Sequence, residues 1–286
     1  MSILLEMLRQ EFMVNILVGV ILVALPCALL GVLVVLRREV FVGAALAQVA
    51  SLGGVIGLCL AAGHEMCAHG HSVGEILPRA TALGAAVIAA VGLSSQRGER
   101  RLSREASIGI LYAGTAALAI LVVATRATLH REVLSLLFGN VLTMTISRDE
   151  LIILGVVALL VLLSVVLLGR RFLLVSLDPA MAAGAGISVR GWQSLLLGLV
   201  GGVVAFSILE AGALVVFALL VIPASGALLV ARSMRMAYLL AAILGVGSAL
   251  VGVTISYLAD WPTGPAVIVT SLVPLLVLVI WRQLRA

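Results

Sequence analysis

The 286-residue sequence has no lysine, three cysteines and only 11% charged residues. Without lysine it cannot form the phosphate-binding loop that ends in Gly-Lys-Ser or Gly-Lys-Thr, so any ATP hydrolysis belongs to another chain. Three cysteines cannot form a disulfide framework, and Cys27 and Cys59 lie in apolar runs. An HExxH motif and a Ser/His/Asp arrangement are also missing, which argues against a membrane enzyme.

This scarcity of charge predicts a membrane protein. Hydrophobic residues make up 63% of the chain and its mean hydropathy is +1.29, so its polar residues cannot cover a globule. Because backbone groups in lipid must be satisfied within their own segment, the apolar runs are predicted to be helices. We therefore expect an all-α, polytopic membrane helical bundle. It should form a single domain over residues 1–286, since no loop is long enough to hold a second one.

The apolar runs approach the ~20 residues that a transmembrane span needs. They cover residues 13–36, 40–62, 80–95, 107–125, 151–169, 192–209, 211–230, 237–258 and 265–281. The sixth and seventh runs are separated only by Leu209, Glu210 and Ala211. Fusing them would leave eight, so the prediction is eight or nine transmembrane helices. The first run is too long for a cleavable signal peptide and is predicted to remain a helix.

The arginines indicate the orientation of the bundle. All 18 basic residues are arginines, and 13 of them fall on one side if the spans alternate. The other side keeps Arg9, Arg79, Arg126, Arg131 and Arg148. The positive-inside tendency then places the N-terminus outside and the C-terminus in the cytoplasm. The net charge of +5 is accordingly attributed to orientation in the membrane and to contact with anionic lipid, and not to nucleic-acid binding.

Small residues recur four positions apart on several spans, which predicts close packing of helix backbones. The pairs are Gly53 and Gly57, Gly198 and Gly202, Gly245 and Ala249, and Ser248 and Gly252. Such pairs occur in most membrane bundles and say nothing about a substrate. Pro26, Pro223 and Pro274 also lie within spans, where they are interpreted either as hinges beside a pathway or as static kinks.

A short helix is predicted in the cytoplasmic loop between the fifth and sixth spans. Asp178 is a good helix N-cap and Pro179 suits the first helical position. Met181 and the alanines around it are helix formers. Gly184 or Gly186 can end the turn.

Four stretches of the chain together resemble one protein family. They are ValValLeuArgArg (Val34 to Arg38) with the second span up to Gly57, SerLeuLeuPheGlyAsnValLeu (Ser135 to Leu142), LeuAspProAlaMetAlaAlaGlyAlaGly (Leu177 to Gly186), and Gly212 to Ala224 with ThrGlyPro at Thr263 to Pro265. In this order and spacing the chain resembles the permease subunits of ABC importers for zinc, manganese and ferrous iron. The likeness extends over nearly the whole length.

The resemblance implies a multi-pass permease of the cell membrane, with a divalent transition metal as substrate, no catalytic residue and no permanently bound cofactor. The implied partners are a separate ABC ATPase, an extracytoplasmic metal-binding protein, a second copy of the chain and membrane lipid. The short cytoplasmic helix would be the coupling element that the ATPase moves. Its coupling residues would be Asp178, Pro179, Met181, Gly184 and Gly186.

The predicted translocation path consists of Gln48, Ser51 and Glu210. Members of the family commonly carry an aspartate and a histidine four apart on the second helix, where this chain has Ala44 and Gln48. Alanine and a neutral amide are poor zinc ligands, so the metal site is built elsewhere, or makes fewer protein contacts, or the cargo differs. Gln48 could instead hydrogen-bond between helices. Glu210 could instead lie at the outer surface, if the sixth and seventh spans form a tight hairpin.

A cluster of metal-ligand residues follows the second span. Its members are His64, Cys67, His69 and His71. Imidazole and thiol donors suit zinc or copper(I), so the loop is predicted to gather metal outside the membrane. The spacing matches no defined zinc finger, and the alternative is a merely polar loop that binds metal weakly.

Two other functions compete with the importer. An ion-gradient-driven secondary transporter usually places acidic residues deep in its spans, and only Glu210 is a candidate here. A non-transporting membrane scaffold is disfavoured by the prolines in the spans and by the predicted cytoplasmic helix.

Overall fold

A computed structural model describes residues 11–64, 71–94, 103–124 and 148–285. Within these ranges the regular elements are all helices, numbered here in chain order. They are α1 (Glu11–Leu36), α2 (Val40–His64), α3 (His71–Ser94), α4 (Arg104–Ala124), α5 (Arg148–Leu177), α6 (Pro179–Gly184), α7 (Val189–Ala211), α8 (Ala213–Val230), α9 (Met234–Ala259) and α10 (Thr263–Arg285). The all-α prediction is confirmed.

All of these helices except the short α6 are long and apolar enough to cross a membrane, which gives nine candidate spans in the described part of the chain. The ninth comes from a separation of α7 and α8 at Gly212, whose φ of 83° is open to glycine and unfavourable for other residues. The fused alternative with eight spans is therefore wrong. The largest difference between a predicted span and the observed helix is in α5. This helix continues through Arg170 and Arg171 to Leu177, well beyond the predicted apolar run.

The bundle has an end that carries α6, where α5 ends and α7 begins, and an opposite end. At the α6 end, Ser94 and Ser194 place their hydroxyl oxygens 2.7 Å apart, joining the last turn of α3 to the first turns of α7. The last turns of α1 and α8 meet the first turns of α9 at the same end, in a buried cluster of small apolar side chains. Its buried members are Ala28, Val32, Ala224, Ala227, Ala237 and Ala241.

Glycine allows the closest helix contacts in the bundle. A Cβ atom added to Gly57 of α2 would lie 2.5 Å from Pro78 Cα, and one added to Gly53 would lie 2.9 Å from Ala82 Cα, both on α3. The small-residue spacing therefore predicted this contact correctly. On α7 it did not, because a Cβ at Gly198 would meet nothing within 4 Å in the described structure. The close approach there is at Gly201, where a Cβ would lie 3.2 Å from Ala86 O.

We expect Gly31→Ala to lower the thermal stability of the purified protein. A Cβ at Gly31 of α1 would lie 1.8 Å from the backbone oxygen of Leu220 in α8, so the two helices would have to separate. Overpacking of this kind costs about 1–3 kcal/mol even where side chains can shift, and backbone yields less readily. Thermal unfolding in detergent, followed by size-exclusion chromatography of the heated samples, measures the effect.

The matched control for Gly31→Ala is Gly198→Ala, also in the interior of a spanning helix. A methyl group there has open space, and alanine is the better helix former by about 0.5–1 kcal/mol. Its melting temperature should stay the same or rise. Equal melting temperatures for the two variants would contradict the α1–α8 contact.

The three prolines noted in the spans all lie inside continuous helices. Pro26 is in α1, Pro223 in α8 and Pro274 in α10. Each helix continues past its proline for at least a turn, so none of them ends a span. Pro223 packs within 3.6 Å of the position that a Cβ at Gly245 of α9 would occupy.

Candidate functional site

The short helix α6 has well-formed ends, and it is the element that the sequence predicted. Asp178 caps its start, since the Met181 N–H donates to Asp178 Oδ1 at 2.9 Å, and Pro179 is the first helical residue. At the other end, the Gly186 N–H donates to Ala183 O and the Ile187 N–H to Ala182 O, both at 3.0 Å. Gly186 has a φ of 77°. This pair of bonds around a left-handed glycine is a Schellman motif, so Gly186 completes the end of a helix whose last residue is Gly184.

The helix α6 projects from its end of the bundle on a packed base. Met181 is 63% exposed, and Asp178, Pro179, Gly184 and Gly186 are exposed as well. Ala182 is fully buried and faces inward. The helix α6 is thus a short capped helix with a fully buried alanine and an exposed methionine.

The base below α6 is an aromatic contact between α5 and α7. The rings of Phe172 and Trp192 pack edge to face with centroids 5.4 Å apart, and the Arg171 guanidinium lies 5.2 Å from the Trp192 ring centroid. Phe172 is 1% exposed. Edge-to-face and cation–π contacts of this kind each add roughly 0.5–1.5 kcal/mol beyond the area that they bury. This contact joins the last turns of α5 to the first turn of α7.

A cavity of about 1120 Å³ lies between α2, α4, α8 and the α1–α2 connection at residues 37–39. Ala44 and Gln48 of α2 are on its wall, opposite residues of α8 that include Phe217. Its charged lining residues are near the α6 end, where the Arg37 Nε lies 3.4 Å from Glu39 Oε2. The remaining wall is mainly apolar. The structure thus places Gln48, a predicted path residue, on the surface of this cavity.

Gln48 and Ser51 carry buried oxygen atoms one helical turn apart. Within the described residues, neither Gln48 Oε1 nor Ser51 Oγ has a hydrogen-bond partner. Ser51 is 0% exposed and is not among the residues that line the cavity. The alternative in which the Gln48 oxygen bonds to a neighbouring helix finds no support in the described structure.

Glu210 lies in a buried ion cluster at the opposite end of the bundle. Its Oε1 accepts a hydrogen bond from Arg79 Nη2 at 3.2 Å, and the same nitrogen donates to Glu150 Oε1. These three side chains, called the clasp below, come from α3, α5 and α7. Glu210 is only 8% exposed, so it does not lie at the outer surface as the hairpin alternative supposed. It is also absent from the cavity lining.

The position of the α7–α8 junction explains why Glu210 is buried. Gly212 and Ala213 are buried too, and α8 has only 18 residues, about 27 Å at 1.5 Å per residue. The junction therefore stops short of the bundle surface. A carboxylate held there needs a positive partner, and Arg79 supplies it. Through Gly212, the clasp is joined to Ala213 and Phe217, which line the cavity.

Metal-ligand residues are not concentrated in the described structure. Within residues 11–64, 71–94, 103–124 and 148–285, no group of three or more His, Cys, Asp or Glu side chains could hold a metal ion. His64 ends α2 and His71 begins α3, whereas Cys67 and His69 lie outside the described residues. Metal binding by this loop stays a prediction.

Comparison with known proteins decides the family. Residues 9–283 match the ABC 3 transport family. The chain belongs to that family. This confirms the resemblance found in the sequence, and it makes this ABC 3 protein a membrane component of a transporter, not an enzyme.

Two curated relatives and one solved structure align with most of this ABC 3 chain. It is 28% identical over 266 residues to the manganese transport system membrane protein MntC of Halalkalibacterium halodurans, covering 93% of this chain and 86% of the relative. It is 28% identical over 282 residues to a probable iron transport system membrane protein of Haemophilus influenzae, covering 99% and 98%. PsaBC from Streptococcus pneumoniae, solved with a Fab, has the same fold, with a TM-score of 0.81, 21% identity and coverage of 96% and 95%.

Apart from the His/Cys loop, the predicted site residues of this ABC 3 chain fall in three places. The coupling residues come together in α6, Gln48 lies on the cavity wall with Ser51 one turn away, and Glu210 lies in the clasp. Sequence reasoning missed Arg79 and Glu150, which are 71 positions apart. The available signal was an isolated arginine at the edge of a predicted apolar span, where an unpaired charge is costly.

Proposed function

We propose that the chain is the permease subunit of an ATP-driven importer for a divalent transition metal: manganese, zinc or iron. The observation that carries the proposal is the capped, exposed α6 on a lysine-free membrane bundle. The two relatives named for manganese and iron transport support metal as the cargo. The metal is a substrate, and the proposal requires no permanently bound cofactor.

The motor is a separate ATPase that receives α6. Since this chain cannot form a lysine-containing phosphate-binding loop, nucleotide binding and hydrolysis occur on that partner. When the ATPase closes on nucleotide, it moves α6 with its base of Phe172 and Trp192. That motion reaches α5 and α7, and α7 carries Glu210 of the clasp. The motion then reaches the cavity wall on α8 through the clasp and the Gly212 junction.

The α6 end of the bundle faces the cytoplasm. That end carries Arg37, Arg170, Arg171, Arg190 and Arg232, so the positive-inside tendency assigns it to the cytoplasm. The N-terminus is then outside and the C-terminus is inside, in a cell membrane whose lipid contacts the exposed apolar side chains. The opposite end, with the clasp, meets the extracytoplasmic metal-binding protein.

Two copies of the chain form the complete pathway. Each chain has one α6, whereas the ATPase motor of such an importer has two halves. The cavity with Gln48 is the part of the path that one copy contributes, and Ser51 lies one turn further along α2. His64, Cys67, His69 and His71 gather metal before it enters. Glu210 does not line this cavity, and it influences the path indirectly, through its contacts in the clasp.

The alternative, a secondary transporter driven by an ion gradient, needs an acidic group deep in the bundle that is free to bind the coupling ion. Glu210 is the acidic residue buried in the described spans, and it is already engaged by Arg79. This arrangement favours the ATP-driven importer.

We expect the chain to co-purify with its ATPase and, once reconstituted with it in vesicles, to take up manganese, zinc or iron only when ATP is present. Uptake should also depend on the ATPase, since vesicles with this chain alone have no source of energy. A matched control contains an ATPase variant that binds ATP but does not hydrolyse it. Equal uptake with that variant would contradict the proposed coupling.

A further inference from the structure

We infer that the α6 end of the bundle binds the headgroup phosphate of an anionic lipid at Arg170 and Arg171, beside Trp192. The site lies where α5 leaves its apolar run and the first turn of α7 packs against it. The ligand is a phospholipid whose headgroup carries net negative charge, such as phosphatidylglycerol. This inference requires only that the bundle lies in a membrane, and it does not depend on the proposed import of metal.

The two arginines carry positive charge that the described part of the protein does not neutralise. Both side chains are exposed, and within the described residues neither lies within ion-pair distance of a carboxylate. The acidic residues of α5 and α7 themselves are all at the opposite end of the bundle. Asp178 is at the α6 end, but its Oδ1 caps α6 by accepting the Met181 N–H. This surface therefore suits an anion.

The aromatic contact below α6 holds Arg171 in place for such a ligand. Its guanidinium lies 5.2 Å from the Trp192 ring centroid, and that ring packs on the buried Phe172. An arginine that rests against an aromatic ring keeps N–H groups for an anion, and its planar fork matches two phosphate oxygens at once. Tryptophan is itself enriched at the level of lipid headgroups. The donor is thus positioned before the lipid arrives.

Exposed apolar side chains continue from the arginines into the membrane on both helices. Because α5 ends and α7 begins at this end, one turn deeper is reached at Leu167 on α5 and at Leu195 on α7. Leu167 is 67% exposed and Leu195 is 44% exposed. A basic edge above an apolar surface matches the headgroup and acyl chains of one phospholipid, as in other basic sites between membrane helices. A soluble phosphate would contact only the arginines.

The test is thermal unfolding of the purified chain in detergent supplemented with phosphatidylglycerol or, at the same mole fraction, with phosphatidylcholine. A ligand that binds only the folded chain stabilises it, so phosphatidylglycerol should raise the melting temperature by several degrees more than phosphatidylcholine does. Arg170→Gln combined with Arg171→Gln should remove most of that difference. The matched control, Arg232→Gln combined with Arg235→Gln, removes two other exposed arginines from the same end and should keep it.

The difference between the two lipids separates binding from folding, since a less stable variant melts earlier in both. If the double variant does not fold, Arg170→Gln alone leaves the Trp192 contact in place and should still reduce the difference. Equal shifts in the two lipids for wild type, or the same loss in the control, would overturn the inference. So would an equal shift from inorganic phosphate. An undiminished difference in the double variant, together with weaker ATPase binding, would assign this surface to the ATPase instead.

Discussion

Replacing Arg79 by alanine is expected to destabilise the protein by about 3–5 kcal/mol, because it removes the guanidinium that Glu150 and Glu210 share. The side chains of the clasp are between 9% and 19% exposed, so water screens the loss only in part. Two carboxylates would then face each other in a buried setting. The expected result is a large fall in melting temperature in detergent, measured by size-exclusion chromatography of heated samples.

A compensated variant tests whether charge causes this fall. Arg79→Met combined with Glu150→Gln and Glu210→Gln removes all three charges and keeps side chains of similar size. Replacing a buried ion cluster by neutral residues is often tolerated, so this variant should recover most of the lost stability. Arg282→Ala, at an exposed arginine of α10, should not change the melting temperature. An unchanged melting temperature for Arg79→Ala would show that the clasp is not a structural contact.

Met181→Asp is expected to abolish ATP-driven uptake while leaving the chain folded. Met181 is 63% exposed, so a charge there costs the fold little. In a partner's groove, loss of a central anchor costs about 2 kcal/mol or more, which is roughly a 30-fold loss of affinity. Binding of the ATPase to the purified chain and uptake in vesicles both measure the effect.

Met236→Asp is the matched control for Met181→Asp. Met236 is a methionine in the first turn of α9, at the same end of the bundle, and is 39% exposed. An acidic residue is tolerated in the first turn of a helix, so this variant should bind the ATPase as wild type does. Equal losses in the two variants would mean that the effect comes from negative charge at this end and not from α6.

The sequence predicted the elements whose signals are local. The short helix α6 was found because its cap, its first-position proline and its terminal glycine lie within nine residues of one another, from Asp178 to Gly186. The spans were found because lipid demands long apolar runs. The choice between eight and nine spans depended on Gly212, whose φ of 83° permits the sharp change of direction that separates α7 from α8.

The clasp could not be predicted because it is a tertiary contact. Arg79 and Glu210 are 131 positions apart. The sequence places Arg79 only among the arginines of the outer side, and it predicts Glu210 as a path residue or an outer-surface residue. The depth of Glu210 follows from the short α8, and a hydropathy profile does not report the depth of a helix end. The sequence also did not show which face of α7 packs against α3. The spacing of Gly198 and Gly202 gives no indication that Gly201 faces α3.

The central claim is that this bundle has no motor of its own and is driven through α6. The most direct measurement is metal uptake into vesicles that hold this chain alone under an imposed proton or sodium gradient, beside vesicles that hold the chain, its ATPase and ATP. We predict uptake only in the second set, and its loss in the Met181→Asp variant. Uptake by the chain alone under a gradient, or undiminished ATP-driven uptake in that variant, would contradict the account.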